Sequence, residues 1–458
     1  MQSERLGRAL AATLLVGFLA GCGSDQQPVA PSQSLDRAMT RGQDSLVMAV
    51  RALAEQRGIT PMPRPPRVRP ELVRLGQALA FDKILSGNRD ISCMTCHLPA
   101  FALGDDRSLS IGQGASGLGP GRVHPAGAFI PRNAPSLFNL TALQSLFWDG
   151  RVSRDASGRF HTPAGEALTP AMTRVFEFGP ASALGLFPVT SREEMRGQGG
   201  NELAAIPDAD VGAIWRGLML RLGGIPEYRR LFEAAYPGTR FSEMTFAHAS
   251  NAIAGFLIAE YTFTDTPWDR FLAGNNRAMT RDQLTGAQTF LTIKCSICHN
   301  GPAFTDNKFH NVAIAQFGPG EGDGPDGHDD FGRMRVTGNP ADQYAFRTTP
   351  LRNVELTGPY GHDGAFAGLR DFIDHYSESE LKLRNFDPMN LEPLLQGTLQ
   401  PTADAVMLTR DTIINGVVLP SVTVDQLTTF MSALSDPRAA YLERTIPRRV
   451  PSGLPVDR

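Results

Sequence analysis

Apolar residues recur at three- and four-residue intervals along much of this chain, the spacing of amphipathic helices. Leu72, Leu75, Leu79 and Phe81 carry it from Glu71 onward. Leu35 to Gln56, Asp210 to Leu222, Glu227 to Ala235, Thr245 to Tyr261 and Val424 to Leu434 are read as further helices, and strands should be few. Apart from the first of these, the stretch from Gly23 to about Pro70 lacks strong apolar pattern. It ends in the Pro/Arg-rich run Pro61-Met62-Pro63-Arg64-Pro65-Pro66-Arg67, which predicts a stiff tether over 22–70.

Length and composition suit two compact domains: 458 residues, 41% hydrophobic and 20% charged. The formal net charge of −3 supplies no basic field for nucleic acid. At the N-terminus, Arg5 and Arg8 precede an apolar run from Ala9 to Ala20 that is too short to span a bilayer and has the length of a signal-peptide core. The run closes on Leu19-Ala20-Gly21-Cys22, a lipobox-like end. The expectation is a leader over 1–21, lipidation at Cys22 and a product on the periplasmic side of a bacterial membrane. Gly23 after the cysteine fits the outer membrane, with the lipid as the only membrane contact.

Four of the five cysteines form Cys93-Met94-Thr95-Cys96-His97 and Cys295-Ser296-Ile297-Cys298-His299, and the fifth is Cys22. Two cysteines three apart can each bond a haem vinyl group, and the adjacent histidine then reaches the iron. Two covalent c-type haems are expected, on His97 and His299. The surroundings of the motifs also repeat. Pro99-Ala100-Phe101 and Asp105 follow the first motif, while Pro302-Ala303-Phe304 and Asp306 follow the second. Pro135 through Asn139 leads to Trp148-Asp149-Gly150, as Pro350 through Asn353 leads to His362-Asp363-Gly364. One haem module is used twice. The predicted architecture is mainly α, with two cytochrome c-like haem domains over 71–277 and 278–458 and abundant Gly and Pro in loops around the cofactors.

These phrases, with Leu75-Gly76-Gln77-Ala78-Leu79, Ser110-Ile111-Gly112, Arg132-Asn133-Ala134-Pro135, Phe147-Trp148-Asp149-Gly150-Arg151 and Pro359-Tyr360-Gly361-His362-Asp363-Gly364, resemble the bacterial di-haem cytochrome c peroxidases and their relative MauG. The resemblance implies that peroxide reacts at the N-terminal haem while the C-terminal haem exchanges electrons. It places Gln113 where many of the peroxidases carry a histidine that caps the first haem at rest. A glutamine there implies an open first haem, unless His124 of the same loop caps it. Glu194 matches the acid–base carboxylate, with Glu193 and Glu166 as competitors, and Trp148 matches the tryptophan between the haems. Tyr376 falls at the position of the second haem's sixth ligand, which is methionine in the peroxidases and tyrosine in MauG; His375 and Met389 are its alternatives. A calcium ion is implied on oxygens of Asn133, Thr348 and Pro350. The acidic loop Gly318 to Gly332 is read as a solvated insertion.

Three functions follow from this reading. The first is a MauG-like enzyme that uses hydrogen peroxide to oxidise a partner protein. The second is a conventional cytochrome c peroxidase, reducing hydrogen peroxide to water with electrons from a small cytochrome or copper protein. The third is a non-enzymatic di-haem electron carrier.

Overall fold

The computed structural model describes residues 33–125 and 128–458. The leader over 1–21 and Cys22 lie outside the described residues. Among those described, no helix is long and apolar enough to cross a membrane.

Each half is built on one helix crossing that only glycine permits. Pro70–Phe81 buries Leu72, Leu75 and Leu79 against Phe246–Tyr261, and a Cβ on Gly76 would lie 1.9 Å from the carbonyl oxygen of Ala252. In the second half Arg281–Thr292 crosses Ser421–Ser432, and a Cβ on Gly286 would lie 2.0 Å from that of Gln426. Both contacts are far inside van der Waals distance, so the two backbones touch only where a side chain is absent. The helix before each Cys-x-x-Cys-His motif is thus held in the same way, and the repeat in sequence is a repeat in packing.

The first core gathers Leu79, Phe81, Leu186, Leu218, Phe232 and Phe256. The second centres on Trp268, Phe271, Phe290, Phe304 and Phe430, with Trp268 and Phe430 edge to face at 5.3 Å. Strands are few, as expected. Ser145–Leu146, Val152–Arg154 and Phe160–His161 form an antiparallel sheet in that order, and Phe309–His310 pairs with Phe346–Arg347.

Three boundaries differ from the sequence reading. The cores part between Phe263 and Trp268 rather than at 277, because Trp268 and Phe271 are already buried in the second core. The expected tether is packed over its described second part: Val47, Val50, Ala54 and Ile59 join the second core, and Arg51 lies 4.3 Å over the Phe271 ring. Composition alone hid that apolar face. Finally, the C-terminal segment leaves the second half and returns to the first, where Ala439, Leu442 and Val450 are buried. Asp457 there accepts a 2.5 Å hydrogen bond from Thr95 and lies 2.6 Å from Lys83 Nζ, so the chain end grips the first haem-attachment turn. Asp457→Ala is expected to lower stability by about 1–3 kcal/mol, read as a lower unfolding midpoint in denaturant.

Candidate functional site

The two attachment motifs fold alike. Cys93–Cys96 and Cys295–Cys298 are each a single helical turn, the first capped by Ser92, whose backbone N–H donates to Thr95 Oγ1 at 2.9 Å. The chain then doubles back through left-handed residues, Ala102 and Leu103 in one copy and Phe304 in the other. This turns the Leu103 carbonyl toward His97 Nδ1 at 2.9 Å and the Phe304 carbonyl toward His299 Nδ1 at 3.0 Å. A histidine that donates from Nδ1 presents a bare Nε2, the form in which imidazole binds iron. Burial keeps both rings neutral by lowering their proton affinity.

Each histidine faces its own cavity. The first, about 1360 Å³, is lined by Cys93, Cys96, His97, Trp148 and Glu194; the second, about 510 Å³, by Cys295, Cys298, His299, His362 and Tyr376. Paired cysteines, an oriented histidine and a large apolar wall fit a covalently attached haem in each. Trp148 borders both cavities. Its indole N–H donates to the Asn133 carbonyl at 2.9 Å and its own carbonyl accepts from Arg347 N–H at 2.8 Å, so the ring is fixed between the two sites.

Glu194 lies on a π-helical turn, Arg192–Arg196, whose N-terminal Ser191 accepts its backbone N–H at 3.1 Å. Such turns redirect side chains that a regular helix would turn elsewhere. The Ser110-Ile111-Gly112 loop presses on this turn, and a Cβ on Gly112 would stand 1.9 Å from the Glu193 carbonyl oxygen. Desolvation raises the Glu194 pKa against the pull of Arg151, with Glu321 and Glu193 adding to the rise. Glu193 and Glu166 also border the cavity, but both are exposed.

Gln113 points elsewhere: its amide donates to Asp90 at 3.2 Å and its backbone N–H to Glu193 O at 3.2 Å. Neither Gln113 nor His124 is among the residues lining the first cavity. The loop between them is tied down from within. Arg122 donates to the carbonyls of Ile111 and Gly112 at 2.6 Å, and Arg107 donates to those of Pro120 and Arg122 and pairs with Glu392.

In the second cavity Tyr376 forms part of the wall, and burial raises its phenol pKa. His375 instead donates to the Val312 carbonyl at 2.8 Å, and Met389 is 66% exposed; neither lines the cavity. Met431, unmarked in the sequence reading, is the methionine on that wall. His310 was also missed. Asp306 lies 3.0 Å from its Nε2 and Asp411 contacts its Nδ1, and although burial opposes its charge these carboxylates push its pKa up. Asn133, Thr348 and Pro350 all border this second cavity, and Asn133 donates from Nδ2 to the Arg107 carbonyl at 2.9 Å.

The acidic loop is not a solvated insertion. Asp330 and Asp149 are buried, and Arg132 bridges them: Nε and Nη2 reach Asp330 at 2.6 and 2.7 Å, and Nη1 reaches Asp149 at 2.6 Å. Burial would raise both carboxyl pKa values, but Arg132 outweighs it and holds both below their ordinary range. Arg132 and Asp149 stand inside the recognised phrases, yet their partner is nearly 200 positions away and no local pattern announces it.

Two oriented histidines with paired cysteines, two cavities and a shared tryptophan define a di-haem c-type oxidoreductase. The chain is similar to the di-haem cytochrome c peroxidase family, whose model matches residues 70–277. It is 29% identical to cytochrome c551 peroxidase of Pseudomonas aeruginosa over 313 residues, covering 67% of this chain and 72% of that one. It is also 29% identical to methylamine utilization protein MauG of Methylorubrum extorquens over 320 residues, covering 69% and 71%. Among solved structures, a MauG-like protein associated with microbial copper homeostasis superposes with a TM-score of 0.58 at 25% identity, covering 84% of this chain and 96% of that one. The diheme peroxidase BthA of Burkholderia thailandensis shares the fold, with a TM-score of 0.56 at 19% identity over 86% and 91% of the two chains. The protein is a peroxidase-type oxidoreductase, and that family implies two c-type haems, peroxide, and a redox partner or protein substrate.

Proposed function

We propose that this protein reacts with hydrogen peroxide at the His97 haem, that this haem is open at rest, and that His299 and Tyr376 together hold the second iron. The observation that carries this reading is the wall of the second cavity, which includes Tyr376 and excludes His375 and Met389. The engagement of Gln113 with Asp90, and the arginine ties on its loop, support an open first site that needs no loop movement. When bound, the haems supply the redox chemistry. Glu194 carries a proton from one peroxide oxygen to the other, and its desolvated setting keeps its pKa closer to neutrality than that of a surface glutamate. Trp148 links the two sites, and a tyrosine ligand, which favours oxidised iron, suits oxidation of a side chain on a partner protein. The presence of Met431 on the second wall favours the alternative, a conventional peroxidase drawing electrons from a small redox protein. Asn133, Thr348 and Pro350 offer hard oxygen donors for the proposed calcium ion, to be tested by metal analysis of the purified protein. A lipid on Cys22 and a periplasmic, outer-membrane location complete the proposal, to be tested by mass analysis of the mature N-terminus.

The deciding experiment adds one equivalent of hydrogen peroxide to the fully oxidised protein without reductant and follows the optical and electron paramagnetic resonance spectra. An immediate, long-lived change is expected. No change until one haem has been reduced would overturn the open-site reading in favour of the conventional peroxidase. Tyr376→Met is expected to raise the potential of the second haem substantially, within the roughly 0.8 V that axial ligands command, and to shorten the lifetime of the oxidised product. An unmoved potential in redox titration excludes Tyr376 as ligand.

A further inference from the structure

The cavity at His97 is walled in part by residues of the opposite half. Pro319, Gly320, Glu321, Arg335, Val336 and Arg347 all line it, and Glu321 places a second carboxylate in the cavity that contains Glu194. The loop that delivers Glu321 is a built element. Asp323 and Asp329 pair across its base, the Glu321 N–H donates to Asp329 O at 2.8 Å, and Arg335 donates to the Glu321 carbonyl at 2.7 Å. At Gly320, with a left-handed φ of 63°, a Cβ would come within 2.2 Å of His328 backbone atoms, so the turn requires glycine. The Glu321 carboxylate is only 25% exposed and is shared between two cations, lying 3.4 Å from Arg132 Nε and 3.5 Å from Arg335 Nη2.

We propose that Glu321 is a positioning residue for the peroxide reaction, setting with Arg132 and Arg335 the charge against which Glu194 takes up and releases its proton. The inference rests on Glu194 as the acid–base group. Four charged groups bear most on Glu194: Arg151 and Arg132 favour its ionised form, while Glu321 and Glu193 oppose it. Arg151 is anchored by Asp149 at 3.1 Å and Arg132 by Asp149 and Asp330, so of the two opposing carboxylates only Glu321 is held by the buried network. Glu193 is solvent-exposed. Arg159, His161, Glu166 and Arg347 complete the charged lining, and His161 is itself paired with Asp155 at 2.8 Å.

The test is the pH dependence of kcat/KM for hydrogen peroxide in the holoenzyme carrying both haems, for Glu321→Gln and Arg335→Gln beside Glu194→Gln. Removing the Glu321 charge makes Glu194 easier to ionise, so the acid limb moves down by about half a pH unit or more. Removing Arg335 leaves Glu321 less neutralised, so the limb moves up. Opposite shifts are not produced by a general loosening of the fold, and matched haem spectra check that both sites are intact. Unshifted limbs, or shifts of the same sign, with Glu194→Gln inactive overturn the role of Glu321 alone. A Glu194→Gln variant that keeps both its activity and its acid limb overturns the acid–base assignment and this inference with it.

Discussion

Glu194→Gln is expected to slow peroxide consumption by about 10²- to 10⁴-fold, the range over which a positioned proton carrier contributes. Glutamine keeps the size and one oxygen of the side chain but cannot exchange a proton, so haem content and spectrum should remain those of the parent. Desolvation lifts the Glu194 pKa, so the parent rate should fall with acid at a higher pH than that at which a surface glutamate protonates. The variant should lose that limb altogether. Rapid mixing with hydrogen peroxide reads both effects, and a variant within threefold of the parent would sink the assignment. Glu193→Gln is the comparison for rate: that exposed neighbour should keep turnover, while loss of its charge, which opposes ionisation of Glu194, moves the acid limb down.

The second large effect is on stability. Arg132→Met leaves Asp149 and Asp330 buried without their shared cation, and breaking a buried ionic network by removing one partner costs about 3–5 kcal/mol. The pH dependence has a definite sign. Both carboxyls have depressed pKa values in the folded protein. Their contribution is therefore fully present above the ordinary carboxyl range and is lost as pH falls through the folded-state values. In the variant both carboxyls protonate readily, so the deficit should be largest near neutral pH and shrink in acid. Denaturant unfolding at two pH values reads this; a deficit that is equal at both, or below about 1 kcal/mol, contradicts the network as drawn.

Covalent attachment was legible because it is a local matter: two cysteines, two intervening residues and a histidine fit one helical turn, as at Cys93–Cys96 and Cys295–Cys298. The helices around the haems were legible for the same reason, since a three- to four-residue period needs only its own segment. Glu194, Trp148 and Tyr376 were different. Their residue types are compatible with packing or solvation, and only resemblance singled them out; the cavity walls then gathered them and set His375 and Met389 aside. His310, Met431 and Glu321 carried no local signal, because each gains its setting from partners distant in sequence.

The sequence by itself determined the number of haem-attachment turns, the repeated module and the helical class, all consequences of spacing within a few turns of chain. Tertiary structure decided the rest: Trp148 between two cavities, the return of Asp457 to the first haem turn, and the delivery of Asp330 and Glu321 to Arg132. A buried charge must find its counter-charge wherever the fold brings one. Short-range periodicity carries no record of such a pairing.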